Sequence, residues 1–179
     1  MTGREHAIAL HEKVNHTYAG YNYGLHLDAV EAAHQEFKDE LDIMFEFTPE
    51  IHDVRELTHI NISQACYFHD VLEDCRETYN SLRESYNVYP AALEIVYALT
   101  NEKGRTRAER ASATYYLNIR KTPGASFVKM CDRIANVRFS RMMGSSMYGK
   151  YKKENDEFMK KVDADRFPRM KECLINLFK

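Results

Sequence analysis

Helical spacing of apolar residues recurs along almost the whole chain, and little interrupts it. Only 7 Gly and 4 Pro occur in 179 residues, and no alternating apolar–polar run is bounded by turn pairs. A chain patterned in this way buries its apolar faces by packing helix on helix. The pattern predicts helices over about 4–15, 23–39, 58–73, 77–86, 88–99, 107–119, 124–140, 147–162 and 165–178. Gly20 and Gly24 flank a tight entry into the second helix, Pro49 opens a short segment, and Pro90 suits a first helical turn. Gly104 ends one helix and Pro123-Gly124 opens the next. Phe167, Met170, Leu174, Leu177 and Phe178 give the last helix a packing face. No repeat or long linker divides the chain. The expected fold is all-α and compact, a single domain over 1–179.

The charge balance narrows the partners. Lys plus Arg is 25 and Asp plus Glu is 27, a formal net charge of -2. No global field is left for gripping nucleic acid or an anionic membrane, so any polyanion has to be held by a local basic patch. No apolar stretch approaches the roughly 18 residues of a membrane span, and the N-terminus lacks an apolar signal core. A soluble cytoplasmic protein without nucleic-acid or membrane partners is the expectation; the oligomeric state is left open. Cys66, Cys75, Cys131 and Cys173 form no metal-ribbon spacing and read as reduced core residues.

Three segments carry chemistry. In the first, Cys66 to Asp74, an imidazole and three carboxylates crowd an apolar helix. His69 and Glu73 are expected on one face, Asp70 and Asp74 on the next. Like-charge repulsion there is relieved by a divalent cation, and imidazole plus carboxylate suits Mn²⁺, Fe²⁺ or Zn²⁺. A second His-Asp pair, His52-Asp53, lies among Glu50, Arg55 and Glu56 and reads as solvated surface.

In the second segment Val128, Cys131, Ile134 and Ala135 form an apolar stripe that includes Asp132. A buried carboxylate needs a partner. Arg133, Arg138 or another intrahelical neighbour would serve, as would a metal held by His69 and Asp70. Asn136 shares its face and is placed to orient a ligand. In the third segment His26 opens an amphipathic helix; taken alone, a partly buried structural histidine is the commoner reading.

Together the segments resemble the HD phosphohydrolase superfamily, whose ligands run His…His-Asp…Asp, here His26, His69-Asp70 and Asp132. The match is nearest to the RelA/SpoT-type hydrolase domain and the stand-alone small alarmone hydrolases. HDVLED at 69–74 resembles that family's HD-x-x-ED. VKMCDRIANVR at 128–138 resembles its K-L-x-D-[KR]-x-x-N-x-R. Ala98-Leu99-Thr100-Asn101-Glu102-Lys103, with Glu109-Arg110 downstream, resembles a third stretch. The resemblance covers roughly 5–158, with the helix at about 165–178 packing on it. Before His26 the chain keeps Tyr23 but lacks the family's Arg-Lys pair and both prolines.

The resemblance implies a helical fold with one divalent metal, most often Mn²⁺, held by His26, His69, Asp70 and Asp132. It implies Glu73 and Asp74 as the acid/base and water-positioning pair, with Asn136 contacting nucleotide or backing the metal. The implied reaction removes the 3′-pyrophosphate of an alarmone nucleotide of ppGpp or ppApp type. The alternatives are an HD hydrolase on another phosphorylated nucleotide (a deoxynucleotide, a nucleoside monophosphate or a phosphorylated dinucleotide cofactor), or a non-catalytic helical module. No alarmone synthesis is expected. For the substrate's charge, Lys103, Arg105, Arg107 and Arg110 concentrate in one helix-opening loop, Lys129, Arg133 and Arg138 flank Asp132, and Lys13 is a further candidate. Tyr23 and Tyr116 could stack on a base. Each of these also reads as an ordinary surface cation or core tyrosine.

Overall fold

The computed structural model describes residues 1–46, 52–101 and 105–179, with the side chains of residues 52, 107 and 108 also outside the described set. The expectations for Pro49, Glu50, Glu102, Lys103, Gly104 and the side chains of His52 and Arg107 fall outside these residues; Asp53 is exposed.

The architecture is all-α, as the spacing predicts. In chain order the helices are α1 (Gly3–Lys13), α2 (Gly24–Met44), α3 (His52–Phe68), α4 (Val71–Asp74), α5 (Tyr79–Ser85), α6 (Pro90–Leu99), α7 (Arg107–Arg110), α8 (Ala113–Lys121), α9 (Ala125–Met142), α10 (Ser146–Lys161) and α11 (Pro168–Leu177). The long helices α2 and α9 pack against each other at the centre, with α3 against both. Leu27, Val30, Ala33, Phe37 and Leu41 form the buried stripe of α2. Phe127, Val128, Met130, Cys131, Ile134 and Val137 form that of α9. Such a stripe needs a facing stripe, and helix–helix packing supplies it.

Local chemistry fixes the ends. Thr2 and Glu5 form a capping box on α1, and Thr78 with Ser81 forms one on α5. Pro90 occupies the first turn of α6. Gly124 opens α9 at φ 83°, and a Cβ there would lie 2.6 Å from Ile62 Cδ1, so both its conformation and its surroundings require glycine. The last helix is docked by a buried charge: Glu40 of α2 accepts from the backbone N–H groups of Arg169 (2.7 Å) and Met170 (2.9 Å). A carboxylate at a helix N-terminus satisfies two donors that the helix cannot.

The structure departs from the expected pattern in four places. A two-stranded antiparallel ribbon, β1 (Thr17–Tyr18) and β2 (Tyr21–Asn22), precedes α2. Two residues per strand are too few to show alternation, and the turn works because Ala19 (φ 51°) and Gly20 (φ 87°) both take positive φ. The expected helix 58–73 begins earlier, at His52, and breaks at His69-Asp70 before α4. His69 therefore turns inward while Glu73 faces out, and they do not share a face. The expected helix 107–119 is split, because Ser112 caps a new helix by accepting from the Tyr115 N–H. Finally, α2 continues to Met44.

Candidate metal centre

The break after Phe68 sets the first imidazole. His69 Nδ1 lies 2.8 Å from the Cys66 carbonyl, one of the acceptors left open where α3 ends. A carbonyl only accepts, so Nδ1 carries the proton and the neutral ring presents a lone pair at Nε2. That nitrogen faces Asp70 Oδ2 at 2.9 Å, His26 Nε2 at 3.3 Å and Asp132 Oδ1 at 3.8 Å. His26 Nε2, from the first turn of α2, is 3.4 Å from Asp132 Oδ1 and 3.6 Å from Asp70 Oδ2. Both histidines are buried.

Imidazole nitrogens and carboxylate oxygens brought this close are stable with positive charge among them, a proton or a metal ion. Donors bound to one ion at about 2.0–2.2 Å stand roughly 3–3.6 Å apart, close to the separations here. The residues present therefore fit a divalent ion, and His26, His69 and Asp70 together with Asp132 could hold it. The electrostatics agree. Burial alone would lower the His26 pKa, but hydrogen bonds to Asp132 and Asp70 raise it to about 9. His69 is raised against the same burial penalty by Asp70. Burial opposes the charge on Asp70 and Asp132, yet His69 holds the first, and Lys129 with His26 the second, well below the usual carboxylate range.

A second layer orients the ligands. Tyr23 donates to Asp70 Oδ2. Burial and Asp70 keep its phenol protonated far above the ordinary range. Its ring packs on His11 (centroids 3.9 Å) and His16 (4.2 Å) and is buried, so it is not open to a base. Asn136 donates to Asp132 Oδ1 at 2.5 Å and accepts from the Tyr18 hydroxyl at 2.8 Å. The Tyr18 ring in turn stacks on His26, with centroids 4.7 Å apart. The β-ribbon is what delivers Tyr18 to this place. Lys129 Nζ, 3.2 Å from Asp132 Oδ2, is the intrahelical partner that the buried carboxylate requires. Arg133 and Arg138 do not take that role: Arg133 pairs with Glu154 and Arg138 with Glu36.

The carboxylates after Asp70 divide. Glu73 accepts from Asn101 Nδ2 at 2.9 and 2.7 Å. Asp74 lies 3.7 Å from His16 Nδ1, and burial together with the charge of Asp70 raises its pKa to about 6. Beside Asp132 opens a cavity of about 280 Å³ lined by Asn101, Arg110, Tyr116, Lys129, Arg133 and Asn136. Of the expected substrate contacts, Arg110, Lys129 and Asn136 line this cavity. Lys13 is exposed at the end of α1 and does not. Sequence reasoning passed over His11, His16, Tyr18 and Asn101. The burial of His11 was readable from its spacing with Ala7 and Leu10, while Asn101 lay inside a quoted stretch without a role.

No family model matches the sequence, and no curated protein matches it. Among solved structures, one described as a metazoan ortholog of SpoT that hydrolyzes ppGpp and plays a role in starvation responses aligns with 99% of this chain and 94% of its own. The TM-score is 0.63 at 17% sequence identity. The two proteins share a fold. It is the helical fold that the sequence resemblance implies.

Proposed function

We propose that the chain is a metal-dependent phosphohydrolase that removes the 3′-pyrophosphate from an alarmone nucleotide. The observation that carries this reading is the convergence of His26, His69, Asp70 and Asp132 on one point at the edge of a cavity with a cationic lining. The fold shared with a ppGpp hydrolase supports it. His26, His69, Asp70 and Asp132 would hold the ion, with Mn²⁺ the expected metal for a carboxylate-rich set. Bound there, it supplies Lewis acidity toward a phosphoryl oxygen and lowers the pKa of water.

The chain's own residues do the rest. Arg110 and Lys129 take the negative charge of the pyrophosphoryl group, with Arg133 at the cavity wall. Asp74, as the carboxylate, orients the attacking water and accepts its proton. The water oxygen bonds to phosphorus, the bond from phosphorus to the 3′-oxygen breaks, and pyrophosphate leaves. The proton taken by Asp74 would pass by way of Glu73, which Asn101 holds, to the departing 3′-oxygen. Tyr23 and Asn136 fix the orientation of Asp70 and Asp132. No helix of the described residues is long and apolar enough to cross a membrane, and a cytoplasmic location suits a nucleotide substrate.

The test is a substrate panel with purified protein and Mn²⁺. It contains 3′-pyrophosphorylated guanosine and adenosine nucleotides, deoxynucleoside triphosphates and a 2′-phosphorylated dinucleotide. Release of pyrophosphate from the first class supports the reading and settles the base. Release of only phosphate or triphosphate from the others, or no metal-dependent turnover at all, overturns it.

A further inference from the structure

A second group of ligating side chains lies on the α2–α3 interface, away from the cavity. Glu31 and His34 stand one turn apart on α2, and Cys66 faces them from α3; one ligand atom of each lies within 4.8 Å of the other two. His34 and Cys66 are buried. The hydrogen-bond chain around them bears on which nitrogen is free. Asp42 accepts from Arg55 at 2.5 and 3.1 Å, and Arg55 and His59 hold its carboxyl below the usual range against the opposing effect of burial. It therefore only accepts, and His59 Nε2, 2.8 Å away, donates to it. In the tautomer that leaves His59 Nδ1 as an acceptor, it takes the Nε2–H of His34 at 3.2 Å.

That leaves His34 Nδ1 as a lone pair, 3.2 Å from Glu31 Oε2. Two acceptors face each other with a thiol beside them. The Gln35 amide reaches both groups: it donates to the other Glu31 oxygen at 2.8 Å and, with Nδ1 as acceptor, to His34 at 3.4 Å. Glu31 Oε2 and His34 Nδ1, 3.2 Å apart, have room for one positive charge between them, a proton or a metal ion. A proton would use only the imidazole and the carboxylate; a borderline divalent ion uses all three groups. The arrangement behind His34 is also the usual support of a metal-binding histidine, whose second N–H is passed to a chain ending on a carboxylate.

We propose that Glu31, His34 and Cys66 form a second metal site, for a zinc-class ion, distinct from the centre at His69-Asp70. Nitrogen, sulfur and carboxylate oxygen together are a zinc ligand set. Binding turns the Cys66 thiol into a thiolate and releases its proton to solvent. The Cys131 thiol, in hydrogen-bonding contact with Cys66, lies against the site. A groove of about 430 Å³ is lined by Gln35 and His59, the residues next to His34 in this chain of hydrogen bonds. The ion ties α2 to α3 at Cys66, the residue whose carbonyl orients His69.

Cobalt and zinc separate the two sites, because only the second offers a thiolate. Adding Co²⁺ to the full chain should produce a near-ultraviolet thiolate-to-cobalt absorption band. The band should persist in Asp132→Asn and vanish in Cys66→Ser. Elemental analysis after equilibrium dialysis against Zn²⁺ should find one ion retained in Asp132→Asn. Glu31→Gln, whose side chain is partly exposed, guards against a Cys66 variant that fails to fold. With unchanged circular dichroism it should weaken zinc binding at least tenfold. Absence of the band in the wild type, or zinc content unaffected by Glu31→Gln, overturns the proposal and leaves a protonated histidine relay.

Discussion

Two imidazole–carboxylate clusters share α2 and are wired differently: one gathers the α3–α4 break and α9 around it, the other faces α3 alone. In the first, His26 and His69 point their Nε2 atoms at each other and at Asp70 and Asp132. The four groups converge on one point beside a cavity with cationic walls. In the second, Glu31, His34, His59 and Asp42 run in series, each nitrogen assigned to the next neighbour. Its inner end, Glu31 and His34, faces Cys66. Convergence beside a cavity suits turnover of a substrate; a series closed between helices suits holding them together. Residue types alone do not separate the two, since both are histidine and carboxylate.

The largest effect that would sharpen the contrast is at Asp132. Asp132→Asn keeps the side chain's shape beside Lys129 and removes an anionic ligand. Metal-dependent hydrolysis should fall by on the order of 10³-fold or more, measured as kcat/KM. Activity near wild type would remove Asp132 from the centre. Next comes the layer behind it. Asn136→Ala frees Asp132 Oδ1 and breaks the link to Tyr18, and should weaken metal affinity about 10–100-fold with the helix content intact.

A smaller effect is expected from pH. With its pKa raised to about 6 by burial and Asp70, Asp74 is a carboxylate at pH 7 and mostly protonated at pH 5. The rate should drop about tenfold between these values, and Asp74→Asn, slow throughout, should lose that limb. A flat profile in the wild type would move the proton acceptor elsewhere. The last effect is on stability alone. Burial lowers the pKa of His11, stacked on Tyr23, to about 4. A depressed histidine stabilises the fold fully above its unfolded pKa of about 6.5, and the contribution is lost as pH falls toward 4. The loss is up to about 3 kcal/mol by this relation. Denaturant midpoints should fall less steeply over that range in His11→Asn than in the wild type.

The helices of the core were legible because their stripes recur every three or four residues; Val128, Cys131, Ile134 and Ala135 are all buried where the spacing puts them. The ribbon at 17–22 was not, since two-residue strands have no period to read. Nor was the break at His69-Asp70, where a continuous helix would have placed Glu73 beside His69. Arg133 and Arg138 were plausible partners for Asp132 by position, but their cations are taken by Glu154 and Glu36 from other helices.

By itself the sequence determined a helical chain, its apolar faces, and the residue types at positions 26, 69, 70 and 132. Only the tertiary structure decided that His26 Nε2 meets Asp70 and Asp132, that Tyr18 reaches Asn136, and that Cys66 faces Glu31 and His34. The physical reason is range. Periodicity reports contacts within one turn of a helix, whereas a ring nitrogen's proton is assigned by whatever acceptor lies across the interface, and that acceptor comes from a distant part of the chain.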